Sequence, residues 1–332
     1  MSNNGAGPTR TIAITGGTGF VGRHLVREAL GRGWGVRVLA REAHKAAAVL
    51  GVDERVRIVV GDPFDDASTR ALLDGADACV HLIGIIREAP NGQTFKQVHV
   101  EATRAMVQAC AGAGVRRFVH MSAIAADPDG RAEYQRTKFE AEQIVRGSGL
   151  DWTIFRPGLI HGADGEFMRM ARGWAEGRRV PFVFLPFFSR IEQAGVPSPV
   201  NPPRLVDPVV APVHVEDVAR AFAEAVETPE SIGELYRLGG AERLTMPALL
   251  RFVRDTTPQG KKGMPTLGLP GVLAAAKANA SRALGLGGLL PFDAGMALMG
   301  SEDAVCDNGK AAVHLGFEPR GFTESAREYL GM

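Results

Sequence analysis

Short apolar runs alternate with stretches whose apolar positions recur at three- and four-residue spacing over the first half of the chain. The runs at residues 11–14, 36–40, 56–60, 78–83, 117–121 and 152–155 read as strands. Between them, residues 23–30, 43–50, 67–73, 94–113 and 131–146 carry helical spacing. The strands are continuously apolar rather than alternating, so both of their faces are expected to be covered by helices. The fold class predicted is α/β, a Rossmann-type doubly wound parallel sheet, with a smaller, irregular, mostly helical C-terminal lobe. Beyond residue 162 the rhythm breaks. A helix is expected at 167–177, then an aromatic- and proline-rich segment at 180–188, and an extended loop over the proline-rich residues 196–212. A strand at 213–215, a helix at 216–226 and a strand at 235–238 restore regularity. From residue 245 the pattern is helical, interrupted by small residues at 263–290. The division expected is a loose tail at 1–8, a dinucleotide-binding domain at 9–160 to which 210–240 returns, and a substrate- or partner-binding lobe at 161–209 and 241–332.

The chain of 332 residues has a net charge of +1 and no dense basic run, which leaves a nucleic-acid partner without an electrostatic footprint. Cys79, Cys110 and Cys306 are far apart and form no metal or disulfide motif. That cysteine usage makes a reducing cytoplasm the expected compartment; no apolar segment reaches the length of a membrane span, and peripheral membrane contact is left open. His24 and His120 read as helix-surface and strand-end residues. His161 and His214 flank the expected substrate region, but each alone reads more readily as structural.

Candidate chemistry begins at Thr15-Gly16-Gly17-Thr18-Gly19-Phe20-Val21-Gly22, between the first strand and the first helix. Glycines permit a tight turn and close backbone approach, and a helix N-terminus presents free N–H groups to a pyrophosphate. The G-x-x-G-x-x-G spacing, without a following Gly-Lys-Ser/Thr, disfavours a nucleotide-hydrolysing loop. Tyr134 and Lys138 lie one helical turn apart. An ammonium beside a phenol favours phenolate and suits proton transfer at a hydroxyl or carbonyl. At the end of the second strand stand Ala40 and Arg41, with Lys45 one turn on, where an acidic residue would select NAD. An arginine fork there favours NADP(H) over NAD(H).

Together with Gly61-Asp62, His81-Leu82-Ile83-Gly84, Arg156-Pro157-Gly158 and residues 212–219, these motifs resemble the extended and atypical short-chain dehydrogenase/reductase superfamily over most of residues 9–238. Several stretches, among them Phe118-Val119-His120-Met121-Ser122-Ala123 and Asp151-Trp152-Thr153-Ile154-Phe155-Arg156-Pro157, are similar to the nucleotide-binding accessory subunit of respiratory complex I and its bacterial relatives. The resemblance implies that Tyr134, Lys138 and Ser122 are catalytic. It implies a cofactor held by Gly16, Thr18, Gly19, Phe20, Val21, Gly22, Arg41, Asp62, Pro63, Leu82, Ile83, Gly84, Met121, Tyr134, Lys138, Pro157, Gly158, Leu159 and Ile160, with Asp62 at the adenine and 157–160 at the nicotinamide. Aligning on Phe118 leaves open whether Ser122 or Ala123 occupies the catalytic serine position, and His99 stands where extended members usually carry asparagine. The activity implied is hydride transfer at a carbonyl or alcohol of an apolar, quinone- or lipid-like substrate. Its rivals are a non-catalytic NADP(H)-holding accessory or redox-sensing subunit, and a nucleotide-sugar epimerase or dehydratase. A homodimer paired through long helices, contact with a membrane surface, and contact with a respiratory complex are the partners the resemblance allows. The segment Phe182 to Phe188 reads as core, with an apolar patch flanked by Arg178, Arg179 and Arg190 as its alternative.

Overall fold

A computed structural model describes residues 8–88, 92–193, 202–284, 290 and 292–332. The first half runs β1 (Thr11–Thr15), α1 (Phe20–Gly31), β2 (Gly35–Ala40), α2 (Ala43–Leu50), β3 (Val56–Val60), α3 (Asp66–Leu73), β4 (Ala78–His81), α4 (Ala102–Ala113), β5 (Arg117–Met121), α5 (Glu133–Arg146) and β6 (Asp151–Pro157). There follow β7 (Ile160–His161), α6 (Glu166–Ala175), β8 (Leu185–Glu192), β9 (Arg204–Val206), β10 (Val209–Val210), β11 (Val213–His214), α7 (Val215–Glu227), β12 (Glu234–Leu238), β13 (Leu244–Thr245) and α8 (Met246–Thr256). The last elements are β14 (Thr266–Pro270), α9 (Gly271–Ala283), α10 (Ala294–Met299), α11 (Gly309–Leu315) and α12 (Phe322–Leu330).

Seven strands form one parallel sheet in the order β12-β6-β5-β4-β1-β2-β3. The order reverses beside β1, and a doubly wound sheet opens its binding crevice at that switch point. The strands are apolar throughout because alternate residues feed two cores. Ile12, Ile14, Val80, Val119 and Phe155 pack with Leu25 and Val26 of α1 and Val218 and Phe222 of α7. Ala13, Cys79, Phe118 and Ile154 face α3, α4 and α5 through Leu72, Met106, Cys110 and Val145. Cys79 and Cys110 are thus core residues, as expected.

Three expectations are corrected. The helix at 94–113 is not uniform: Lys96–Glu101 form a π-helical turn ahead of α4. Hydrophobic spacing does not separate one wide turn from an α-helical one. The small-residue stretch 263–290 contains β14 and α9, whose alanines give a helix without a strong apolar stripe. The extended loop expected at 196–212 contains β9 and β10, while residues 194–201 lie outside the described ones. The aromatic-proline segment divides: Leu185 and Phe187 are buried in the C-terminal core with Trp174, Leu249 and Phe322, whereas Phe182 and Val183 are exposed.

After β6 the chain leaves the sheet and returns as α7 and β12. Gly158 N–H donates to Leu238 O at 2.9 Å and Val213 N–H to Leu159 O at 2.9 Å. Residues 157–160 are thereby pinned between β12 and β11 at the carboxyl edge of the sheet.

Candidate active site

Between β1 and α1 the backbone makes a cradle that only glycine fits. Gly16 has φ of +75°, and a Cβ on it would stand 3.0 Å from the carbonyl carbon of Leu82. A Cβ on Gly22 would fall 2.2 Å from Gly16 O and 2.6 Å from Gly17 Cα. Helix α1 starts after Gly19 with no side-chain cap and no acidic residue in its first turn. Its first N–H groups have no intrahelical partner and point, with the positive end of the helix dipole, toward the crevice. A cradle closed to any Cβ and open to an anion fits the diphosphate of a dinucleotide.

Two adjoining cavities share Gly16, Gly19, Leu82 and Gly84. The smaller, about 310 Å³, is walled by Thr18, Arg41, Asp62, Pro63 and Ile83 among others. The larger, about 770 Å³, runs from Phe20, Val21 and Gly22 to Met121, Ser122, Tyr134 and Lys138, and along Pro157, Gly158, Leu159 and Ile160. The structure therefore brings every residue to which the resemblance gave a catalytic or cofactor role onto two adjoining cavities. Arg41 is exposed at the end of β2, and Lys45 is engaged by Glu42 at 2.7 Å. One carboxylate oxygen of Asp62 accepts from Phe64 N–H at 3.0 Å, holding the turn after β3.

Tyr134 and Lys138 line the larger cavity from α5. The Tyr134 ring meets His99 and Phe95 edge-on, with centroids 5.3 Å and 5.7 Å apart. Burial alone pushes its phenol up to about 12. This runs opposite to the direction expected from the neighbouring ammonium: desolvation dominates, and the buried phenol keeps its proton. Lys138 is itself buried, its ammonium lowered to about 8 by burial, and it donates to Met121 O at 3.1 Å. A Cβ on Gly84 would stand 3.0 Å from Lys138 Nζ, so this glycine leaves the lysine room at the crevice floor.

Ser122 and Ala123 both reach the cavity wall, but the Ser122 hydroxyl donates to Glu142. Glu142 is fully buried and accepts from Arg156 Nε and an Arg156 terminal nitrogen at 2.7 and 2.6 Å. Ser122 is thus tied into the packing of α5 on β6.

Behind the crevice lies a group of buried histidines. Thr137 donates its hydroxyl proton to Glu133 O at 2.8 Å, and His99 Nδ1 pairs with Thr137 Oγ1 at 3.0 Å. His99 Nε2 stands 3.1 Å from Ile85 O and 3.2 Å from Ile85 N, holding the loop after β4. Thr103 likewise gives its proton to His99 O at 2.6 Å, so His81 Nε2–H donates to Thr103 at 3.2 Å and Nδ1 accepts from Thr15 at 2.7 Å. Burial and the Lys138 charge hold His81 down to about 3 and His99 to about 2. His120 lies near the end of β5, as expected, but is buried there, 1% exposed and stacked on His81 at 5.6 Å. His161 and His214 stay off the crevice. His161 contacts Tyr329 Oη at 2.9 Å, and His214 caps α7 and meets Arg320 at 2.7 Å.

Sequence reasoning missed the apolar part of the larger cavity's wall, formed by Ile85, Ile86, Phe167, Met296 and Met299. Met296 and Met299 lie in α10, some 160 residues from Tyr134 along the chain, and no local pattern joins them. His99 carried a signal, standing where an asparagine was expected. No metal-binding group of His, Cys, Asp or Glu exists among the described residues.

A parallel sheet switching at β1, a glycine cradle and a Tyr/Lys pair at the strand ends define a dinucleotide-binding α/β protein. A family model described as NAD(P)H-binding matches residues 16–173. A ceramide reductase of Caulobacter vibrioides is 32% identical over 219 residues, 66% of this chain and 61% of that protein. Subunit 9 of the NADH dehydrogenase [ubiquinone] 1 alpha subcomplex of Rattus norvegicus is 27% identical over 248 residues, 74% of this chain and 60% of that protein. The matches thus span about three-fifths of the length of these two relatives. The structure of UDP-glucuronic acid 4-epimerase from Bacillus cereus with NAD superposes with a TM-score of 0.69 at 17% identity, covering 96% of this chain and 98% of that one. Over residues 16–173 the chain is thus similar to the NAD(P)H-binding family, and its fold is shared with that epimerase.

Proposed function

We propose that the protein is an NADP(H)-dependent reductase acting on a carbonyl of an apolar, lipid- or quinone-like molecule. The observation that carries this reading is the sharing of one cavity by Tyr134, Lys138 and the wall of Ile85, Ile86, Phe167, Met296 and Met299. A bound reduced dinucleotide supplies hydride to the carbonyl carbon. Tyr134 donates its phenolic proton to the carbonyl oxygen, and a phenol held near 12 by burial is protonated at neutral pH, as reduction requires. Lys138, anchored at Met121 O, places a positive charge at the crevice floor. The apolar wall excludes water and accepts a hydrocarbon. Support for NADP(H) comes from Arg41 on the smaller cavity, with no acidic side chain on the same wall except Asp62. The relative called a ceramide reductase bears a lipid in its name.

The test is NADPH oxidation by the purified protein with quinones, aldehydes and long-chain ketones, Tyr134→Phe alongside. Expected is turnover that falls on the order of 10²-fold or more in the variant while NADPH affinity is kept. Full activity in Tyr134→Phe would sink the mechanism. A second reading, an NADP(H)-holding accessory subunit, draws on the Ser122 hydroxyl being committed to Glu142 and on the likeness to the NADH dehydrogenase [ubiquinone] subunit. Tight NADPH binding without turnover of any of these substrates would select it.

A further inference from the structure

Two loops project side by side from the C-terminal lobe. One, residues 177–184, follows α6; the other, residues 257–265, joins α8 to β14. They are stitched together: Lys261 N–H donates to Ala175 O at 2.8 Å and Leu185 N–H to Pro265 O at 2.8 Å. The Lys261 side chain lies across Gly177, where a Cβ would come 2.2 Å from Nζ. The indole N–H of Trp174 donates to Val180 O at 2.9 Å and fixes the root of the first loop.

Val180, Phe182 and Val183 of the first loop have 60%, 52% and 71% of their surfaces exposed, and Leu267, at the start of β14, has 45%. Around them Arg178, Arg179, Lys261 and Lys262 are exposed, and neither loop contains an acidic residue. The nearby carboxylates are already paired: Glu176 is buried and bound by Arg172 and Arg178, and Asp255 is held by Arg254 at 2.7 Å. Arg190, expected to join this patch, is instead drawn to Glu192 at 2.5 Å and Asp303 at 2.9 Å.

We infer that these two loops dock the protein on an anionic lipid bilayer. Projecting apolar tips enter the boundary between headgroups and acyl chains, while the flanking cations meet the negative surface. A protein partner would require a surface matched to scattered tips, whereas a fluid bilayer accepts them without such matching. The observations are independent of the proposed reduction, since none of these residues lines the crevice.

Co-sedimentation of the full chain with phosphatidylcholine vesicles, with and without phosphatidylglycerol, tests the inference. The wild-type chain should sediment with the anionic vesicles only and be released by salt. Phe182→Ser with Val183→Ser, and separately Arg179→Glu with Lys262→Glu, should each lower the partition coefficient on the order of tenfold or more, with NADPH binding retained as the sign of a folded chain. Equal binding to neutral vesicles, full binding by the charge-reversed variant, or no binding to anionic vesicles would overturn it. A dimer in ultracentrifugation that Phe182→Ser with Val183→Ser dissociates would overturn it too, assigning the patch to a second copy.

Discussion

Arg41 stands exposed at the end of β2 with no ion-pair partner among the described residues, free to meet a phosphate. Arg41→Ala should weaken NADPH binding on the order of tenfold and leave NADH within about twofold, read by cofactor fluorescence titration. A similar loss for both cofactors would remove the arginine from the choice between them. The histidines act on stability. His81 and His99 are held at about 3 and about 2, below the ordinary value of 6.5, so the unfolded chain takes up protons that the folded one refuses. Their contribution is complete above about pH 6.5 and is lost as pH falls toward these values, at about 1.4 kcal/mol per pH unit for each. The urea midpoint should be level near pH 7 and decline between pH 6.5 and 4.5, above most carboxylate titration. His81→Gln should flatten that decline, and an unchanged slope would disprove the assignment.

At the scale of elements, the β1–α1 cradle is the least tolerant junction. Gly22→Ala drives a methyl into backbone atoms of residues 16 and 17. The expected cost is about 1–3 kcal/mol in urea unfolding, with NADPH affinity reduced as well; neither change would mean that the turn yields freely. This junction was legible in the sequence because glycine spacing and strand-then-helix periodicity are local signals. So was the order of the parallel strands' elements, since runs apolar on both faces leave little choice of architecture. The π turn at Lys96–Glu101 was not, because a single extra residue does not disturb an apolar stripe enough to be seen. Helix α9 was hidden by its own alanines, and Met296 reached the crevice only through tertiary folding. The Tyr134/Lys138 spacing was visible, but the effect of burial on the phenol depended on Phe95 and His99 closing over it.

Across the whole molecule, the chain's return to the sheet binds early and late residues into one core. Phe155 of β6 packs against Phe222 of α7 and Tyr236 of β12, with centroids 4.4 and 5.5 Å apart. Arg117, lowered to about 10 by burial, ties Asp151 O, Thr153 Oγ1, Ser231 Oγ and Ala225 O within 2.5–2.7 Å. Phe222→Ala should therefore cost about 3–5 kcal/mol and keep a single transition in which circular dichroism and fluorescence coincide. Separate transitions would show that the late segments fold apart from the sheet. The indole of Trp174 gives the same molecule an optical handle. Of the three tryptophans, Trp34 stands just before β2 and Trp152 lies within β6, whereas Trp174 is tethered to the root of the exposed loop. With Trp34 and Trp152 replaced by phenylalanine, the remaining emission maximum and its quenching by a soluble halide become a label-free record of that loop's engagement, built into the natural sequence.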